Sequence, residues 1–389
     1  MEKFSSEDVK IRHEKGNPLV SIGRDPDTDI AVKEAMDGIG GMCKYVEKGD
    51  LVGLKVNITG GISTNPASFT SKEVTKSVVD LVRGCGGHPV AFDSSMIWTD
   101  VQPIAEKEGW YEWGEKNNVE ILDLHNMPVV HFNFGDDSVI RYDKASALVK
   151  DLDVLINIPK LKTHMLTTVS IGLKNNYGLL PRADKGVYHA KDIDSTIADV
   201  NKAFPSTLTI VDAMTPGEGE AGPLTPDLIE GYNTIIASND VACADGVGMK
   251  MMGFENPIGV RHLKMAALQG VGDGKCYKRP EIQDEMRRVF TEKPHVRDGN
   301  FIFPDSRAVE NMADLTKVIA SNPGGASLFS NFADMGLKNL SYYGTGFMKL
   351  MLKGLNRVGK RYIGKDAVLS KNPNSLNLHP EDELDSYLF

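Results

Sequence analysis

The sequence predicts an α/β fold: a mainly parallel, doubly wound sheet with helices on both faces, followed by a less regular C-terminal extension. Three observations carry this. Short apolar runs alternate with segments of helical periodicity, the pattern of repeated βαβ units. One run, Val154-Leu155-Ile156-Asn157-Ile158, is apolar at nearly every position, as expected of a strand covered on both faces. The 389 residues suffice for one large α/β core with an appendage. The expected division is a core domain over residues 1–275 and a helical or irregular extension over residues 276–389.

Leu51-Val52-Gly53-Leu54-Lys55-Val56-Asn57-Ile58 is the first clear strand. Thr70-Ser71-Lys72-Glu73 has the form of a capping box, with Thr70 as N-cap. Val74, Val78, Leu81 and Val82 then recur at helical spacing, and Gly84, Gly86 and Gly87 end the helix. Pro89-Val90-Ala91-Phe92-Asp93 is the next strand, reached by a right-handed crossover. A helix over residues 103–116 leads to the strand Val119-Glu120-Ile121-Leu122-Asp123-Leu124, and residues 132–142 form a hairpin turning at Gly135-Asp136-Asp137. After the buried run come a helix over residues 194–203, strands at Leu208-Thr209-Ile210-Val211-Asp212 and Thr234-Ile235-Ile236-Ala237-Ser238, and a helix over residues 240–252, with Asp240 and Asp245 as capping residues. Residues 281–290 are helical. Residues 346–365 carry six basic side chains and no acid, interleaved with Phe347, Leu350, Met351, Leu355, Val358 and Tyr362. This pattern suits a membrane surface or an acidic protein partner, or a terminal helix packed on its own domain.

The formal charge of −9 argues against a general nucleic-acid binder. The polar start Met1-Glu2-Lys3-Phe4-Ser5-Ser6-Glu7-Asp8 lacks a leader pattern, so the expected location is cytoplasmic. Cys43, Cys85, Cys243 and Cys276 contain no C-x-x-C; reduced, structural thiols and no intrinsic iron–sulfur cluster are expected. His164 and His189 stand 25 positions apart, so any shared metal would need the chain to fold back. Neither a Walker sequence nor a dinucleotide fingerprint is present.

The chemistry concentrates after the buried run. Pro159-Lys160-Leu161-Lys162-Thr163-His164 is followed by Leu173-Lys174-Asn175-Asn176-Tyr177-Gly178 and His189. Lys55 and Asn57, Asp93-Ser94-Ser95, and Asp212 mark other strand ends. In a parallel sheet these ends share one edge, where open α/β sheets place ligands. Buried lysines need anionic partners, so the cluster points to a small carboxylate or phosphate substrate. Lys160, Lys162 and Lys174 would orient it, with Lys162 and Lys174 among the catalytic groups. His164 or His189 would exchange protons, and Asn175 and Asn176 would donate to an oxyanion. Lys55, Asn57, Asp93, Asp212 and Glu218 would line the crevice, Glu218 within the glycine-rich segment Thr215-Pro216-Gly217-Glu218-Gly219-Glu220-Ala221-Gly222-Pro223, read as a tight, mobile loop. Gly60-Gly61-Ile62-Ser63-Thr64-Asn65-Pro66 is a second anion-holding loop or a plain connection. A lysine Schiff base, or a lysine bound to a cofactor, is another use of the same group. A non-catalytic accessory protein that carries a metal, cluster or cofactor is the alternative class.

At these residues the chain resembles the domain of unknown function 362 family. The resemblance runs over about residues 51–253. It rests on Lys55-Val56-Asn57, on Gly86-Gly87-His88-Pro89-Val90 leading to Asp93-Ser94-Ser95, on the P-K-L-K-T-H and L-K-N-N-Y-G pair, and on His189. Asp212 with Gly217-Glu218-Gly219 and Gly222-Pro223, and Ser238-Asn239-Asp240-Val241-Ala242-Cys243-Ala244-Asp245, match too. The resemblance implies a protein common in anaerobic metabolism, without a settled reaction. Many members add cysteine-bound iron–sulfur clusters, whose spacing this chain lacks. The family is also similar in general architecture to nickel-pincer lactate racemases, which implies an isomerase as a further alternative.

Overall fold

The structure is a computed structural model that describes residues 3–13, 16–58, 65–95, 101–180, 188, 192–219 and 226–304. The thirteen strands among the described residues are numbered in chain order. The first seven are β1 (Lys3–Ser5), β2 (Val20–Arg24), β3 (Leu51–Lys55), β4 (His88–Asp93), β5 (Ile121–Asp123), β6 (Val129–Asn133) and β7 (Tyr142–Ser146). The remaining six are β8 (Val154–Asn157), β9 (Lys160–His164), β10 (Thr168–Ser170), β11 (Leu208–Glu218), β12 (Asp227–Leu228) and β13 (Thr234–Ser238). The helices are α1 (Thr28–Gly38), α2 (Lys72–Gly84), α3 (Val101–Lys107), α4 (Trp110–Asn117), α5 (Gly172–Asn176), α6 (Ile193–Ala203), α7 (Val241–Met252), α8 (Arg261–Leu268) and α9 (Pro280–Glu292).

The predicted α/β architecture is present, as a large mixed and mostly parallel sheet. Its order runs β10-β9-β11-β8-β3-β4-β5, with β13 on β11 and β2 beyond β13. Thr209 pairs with Asn157 on one side and Ser238 on the other, so β11 is central. β8 and β9 lie in tandem along the same side of β11, both parallel to it. Pro159 interrupts them: it has no N–H to give, and its carbonyl accepts from Asp212 N at 2.8 Å. β13 and β2 are antiparallel additions. A separate small sheet pairs β1, β6 and β7.

Side-chain alternation assigns the two faces. Leu155, Leu161, Val211 and Ile236 enter one core with α5, α6, α7 and α8. Val154, Ile156, Ile210 and Ile235 enter the other with α1 and α2. Successive residues of one strand thus feed opposite cores, which is why the runs read as almost continuously apolar.

Several local expectations are corrected. The segment 103–116 is two helices, α3 and α4, separated by Gly109 at φ 68°. The hairpin is β6–β7, with strands displaced to either side of the run expected. β1 and β2 carry too few apolar residues to be read beforehand. Helix α2 begins after Ser71, not Thr70: the Thr70 hydroxyl donates to Ile158 O at 2.6 Å and accepts from Asn57 N at 2.9 Å. Asp240 is the N-cap of α7, accepting from Cys243 N at 2.9 Å. Asp245 caps α5 instead, accepting from Gly172 N at 2.7 Å and Leu173 N at 3.1 Å. Thr215-Pro216-Gly217-Glu218 continues β11 and pairs with β12, so this part is strand where a mobile loop was expected.

The cysteines are not reduced thiols. Cys43 pairs with Cys85 and Cys243 with Cys276, at Cα separations of 5.2 and 5.5 Å, and no cysteine is free. The second bridge ties α7 to the start of the region read as an extension. Within that region α9 also sits on β2, where Glu285 accepts from Ile22 N at 3.0 Å. Residues 346–365 and the Gly60-Gly61 loop lie outside the described residues. Among those described, no helix is long and apolar enough to cross a membrane.

Candidate functional site

The PKLKTH segment is a strand, not a loop released from one. In β9 successive side chains alternate, so Lys160, Lys162 and His164 share one face while Leu161 enters the core on the other. β9 runs beside β11 in register Asp212↔Lys160. The lysine face looks toward the connection between β3 and α2, which supplies Asn57, Ser68 and Ser71.

Two lysines are held by carboxylates. Lys55 Nζ donates to Asp93 Oδ1 at 2.7 Å, Val56 O at 2.7 Å and Asn175 Oδ1 at 3.2 Å. Asp93 also accepts from Ile58 N and Ser94 N, each at 2.8 Å. Lys160 Nζ bonds Asp212 Oδ2 at 3.0 Å and Thr215 Oγ1 at 3.1 Å, with both members of the pair fully buried. Asp212 in turn accepts from Ser71 N at 2.7 Å and Ser71 Oγ at 2.9 Å. The Ser71 hydroxyl that could have capped α2 is spent on this carboxylate.

The other two lysines are not so held. Lys162, 2% exposed, bonds Asn57 Oδ1 at 2.5 Å and Ser68 O, and no carboxylate among the described residues. Burial pushes its ammonium pKa down to about 7, helped by the charge of Lys160 and then by Lys174 and Lys55, with Asp93 opposing. Lys174, half-buried on α5, places its nitrogen 4.5 Å from the Tyr177 ring centre. Burial and the charge of Lys55 bring it, too, to about 7, against Asp194 and Asp93. Lys174 keeps partial contact with water, which Lys162 lacks. Burial also lowers Lys55, which Asp93 counteracts. Lys162 and Lys174 stand on β9 and α5, yet each is close enough to Lys55 to feel its charge.

His164 is 6% exposed, and its Nδ1 accepts from Leu166 N at 3.0 Å and Thr167 N at 3.3 Å. Two amide donors aimed at Nδ1 assign the proton of the neutral ring to Nε2.

The asparagines part company. Asn175 donates to Lys55 O at 3.0 Å and Asn157 Oδ1 at 2.7 Å, bracing the strand ends beneath Lys55. Asn176 turns toward α6, donating to Asn201 Oδ1 at 2.9 Å and Ser206 Oγ at 2.7 Å. Glu218 forms an ion pair with Arg297 and accepts from Ile302 N at 2.7 Å, which fastens β11 to residues 297–302. His189 lies outside the described residues. The structure thus gathers Lys55, Asn57, Asp93, Lys160, Lys162, Lys174, Asn175 and Asp212 around one sheet edge, and directs Asn176 and Glu218 elsewhere.

Four contributors were missed from sequence. Asn157, the single polar residue of an apolar run, holds Asn175 and donates to Gly172 O at 2.8 Å. Ser71 was hidden inside an apparent capping box. Gly178 leaves room for the Lys55 head: a Cβ there would lie 2.6 Å from Lys55 Cε and 2.8 Å from Nζ. Asp245 anchors the start of α5; burial raises its pKa to about 8, against the hydrogen bonds from Leu173 and Gly172. Among the described residues, no group of three or more His, Cys, Asp or Glu side chains is arranged to hold a metal ion.

The family model described as domain of unknown function (DUF362) matches residues 52–250, which include every one of these side chains except Arg297 and its neighbours. The chain is also similar to the thylakoid-associated protein sll1697 of Synechocystis sp., at 30% identity over 227 residues, covering 56% of this chain and 67% of the relative.

Proposed function

The chain belongs to the domain of unknown function 362 family, and we propose from its own geometry that the lysine edge binds a small carboxylate or phosphate and acts on it as an enzyme. The observation that carries this is the imbalance of charge. Asp93 and Asp212 hold Lys55 and Lys160, while Lys162 and Lys174 have no hydrogen-bonded carboxylate among the described residues. An isolated buried ammonium is expensive, and an anion entering between them supplies the missing partner. His164, with its proton on Nε2, would add a hydrogen bond to that anion. Amines near neutrality can also take up and return a proton, so Lys162 and Lys174 serve general acid–base chemistry.

A non-catalytic carrier would use the same charges, but nothing in the geometry favours it over turnover. The two disulfide pairs favour an oxidising compartment over the cytoplasm expected from the polar N-terminal segment. The test is thermal unfolding in phosphate, formate or pyruvate against chloride at equal ionic strength. Stabilisation by one of the three that is lost in Lys162→Met supports the site. Equal response of wild type and variant to all of them sinks it.

A further inference from the structure

Lys162 differs from its neighbours in how its nitrogen is bonded, and we propose that it is a carbonyl-reactive amine. The ligand of the site is then an oxo acid, an aldehyde or ketone that also carries an acid group, captured as an imine at Lys162. This rests on the anion-site reading above and narrows it to a substrate class.

The lysines differ in how many hydrogens they spend. Lys55 meets three acceptors, one of them a carboxylate, and uses all three hydrogens of an ammonium. Lys160 has Asp212 to hold its charge. Lys162 meets two acceptors, Asn57 Oδ1 and Ser68 O, both uncharged. Two hydrogens are what a neutral amine has, so its lone pair takes the remaining tetrahedral direction. The surroundings favour that form, since Lys160, Lys174 and Lys55 all oppose a further positive charge there. Among the described residues Lys174 has no such pair of acceptors to orient it; it supplies charge for the acid group rather than an aimed lone pair.

The step balances without a further reactant. The Lys162 nitrogen adds to the carbonyl carbon and a proton passes from nitrogen to oxygen, giving a carbinolamine. The carbinolamine hydroxyl takes a proton from the medium and leaves as water, and the nitrogen keeps one hydrogen as the iminium. One of the two acceptors, Asn57 or Ser68, gives up its bond in the process. His164 lies on the same strand face two residues on.

The experiment incubates the full chain with glyoxylate or pyruvate and sodium cyanoborohydride near pH 8, then maps the reduced adduct by peptide mass spectrometry. An ordinary lysine is almost wholly protonated at this pH, so Lys162 should be labelled over exposed lysines such as Lys33 by about an order of magnitude or more. Phosphate should protect it. Lys162→Met, which removes the amine without placing a permanent charge in the buried site, should fold with a near-native melting temperature and take no label at this position. Labelling spread over surface lysines, with Lys162 unmodified, overturns the proposal. If phosphate still stabilises the wild type in that case, only the amine chemistry falls. If phosphate has no effect either, the anion site falls with it.

Discussion

Gly178→Ala puts one methyl group against the most heavily bonded lysine of the site. The backbone there does not require glycine; the constraint is the side chain opposite. The added carbon would stand 2.6 Å from Lys55 Cε, 2.8 Å from Nζ and 3.1 Å from Asp93 Oδ1. Ordinary contact begins near 3.4 Å, so the head of Lys55 must retreat by about 0.8 Å. It has no slack to do so, being 1% exposed and fixed by three acceptors. A shift of that size stretches the 2.7 Å bond to Asp93 beyond hydrogen-bonding range. Weakening one charge-assisted bond costs about 1.5–3 kcal/mol, and parting the buried pair altogether about 3–5 kcal/mol. The expected loss is therefore roughly 2–4 kcal/mol in denaturant unfolding. Lys55→Met alone should also destabilise, by leaving Asp93 without its cation. In the double variant the two losses should not add, because the group that the methyl displaces is already gone. A Gly178→Ala protein of native stability, or strict additivity, would refute the packing argument for this edge.

Two further outcomes follow from the same geometry. Lysine in the unfolded chain titrates near 10.5 and Lys162 in the fold near 7, so between these values the unfolded state binds the extra proton. The Lys162 contribution to stability therefore rises with pH across that window, and its penalty is fully expressed below pH 7. Wild type should gain on Lys162→Met as pH rises from 7 toward 10, and a flat difference by denaturant titration would contradict the assignment. For the cysteines, alkylation of the denatured, unreduced protein should find no free thiol; four labelled thiols would return the chain to the reduced reading. The bridged residues are 42 and 33 positions apart, so Cys43→Ser or Cys243→Ser should each cost about 2–4 kcal/mol in denaturant unfolding.

What was legible in the sequence was whatever depends on apolar runs. β3, β4, β8 and β13 bury residues on both faces and announce themselves as unbroken hydrophobic stretches. β9 escaped because its polar face is buried against Asn57, Ser68 and Asp212 and not turned to solvent. Lys160-Leu161-Lys162-Thr163-His164 has the alternation of a strand, but its charges read as a loop. The far half of β11 escaped for a similar reason, since Pro216 and Gly217 punctuate a strand that its partners β9 and β12 nevertheless hold. Thr70 and Ser71 show the limit of local signatures: the capping pattern is there, but Asp212, 141 residues from Ser71, claims the hydroxyl. The lysine cluster itself was legible, because four lysines beside apolar strands demand anionic partners. Which two have them was not, as that depends on side chains brought together only by the fold. Cysteine pairing was beyond reach too, since four cysteines allow three connectivities and spacing does not choose among them.

Lys162 and Lys174 have no hydrogen-bonded carboxylate among the described residues and are held to gain a counter-charge from a bound anion. Calorimetric titration of the full chain with phosphate near pH 8, in two buffers of different ionisation enthalpy, measures this directly. Both amines are mostly neutral there when empty, and an anion between them favours the ammonium form. The account predicts net proton uptake by the protein, approaching one proton for each lysine engaged and reduced in Lys162→Met. Binding heats that are the same in both buffers, meaning that no proton is taken up, would contradict it.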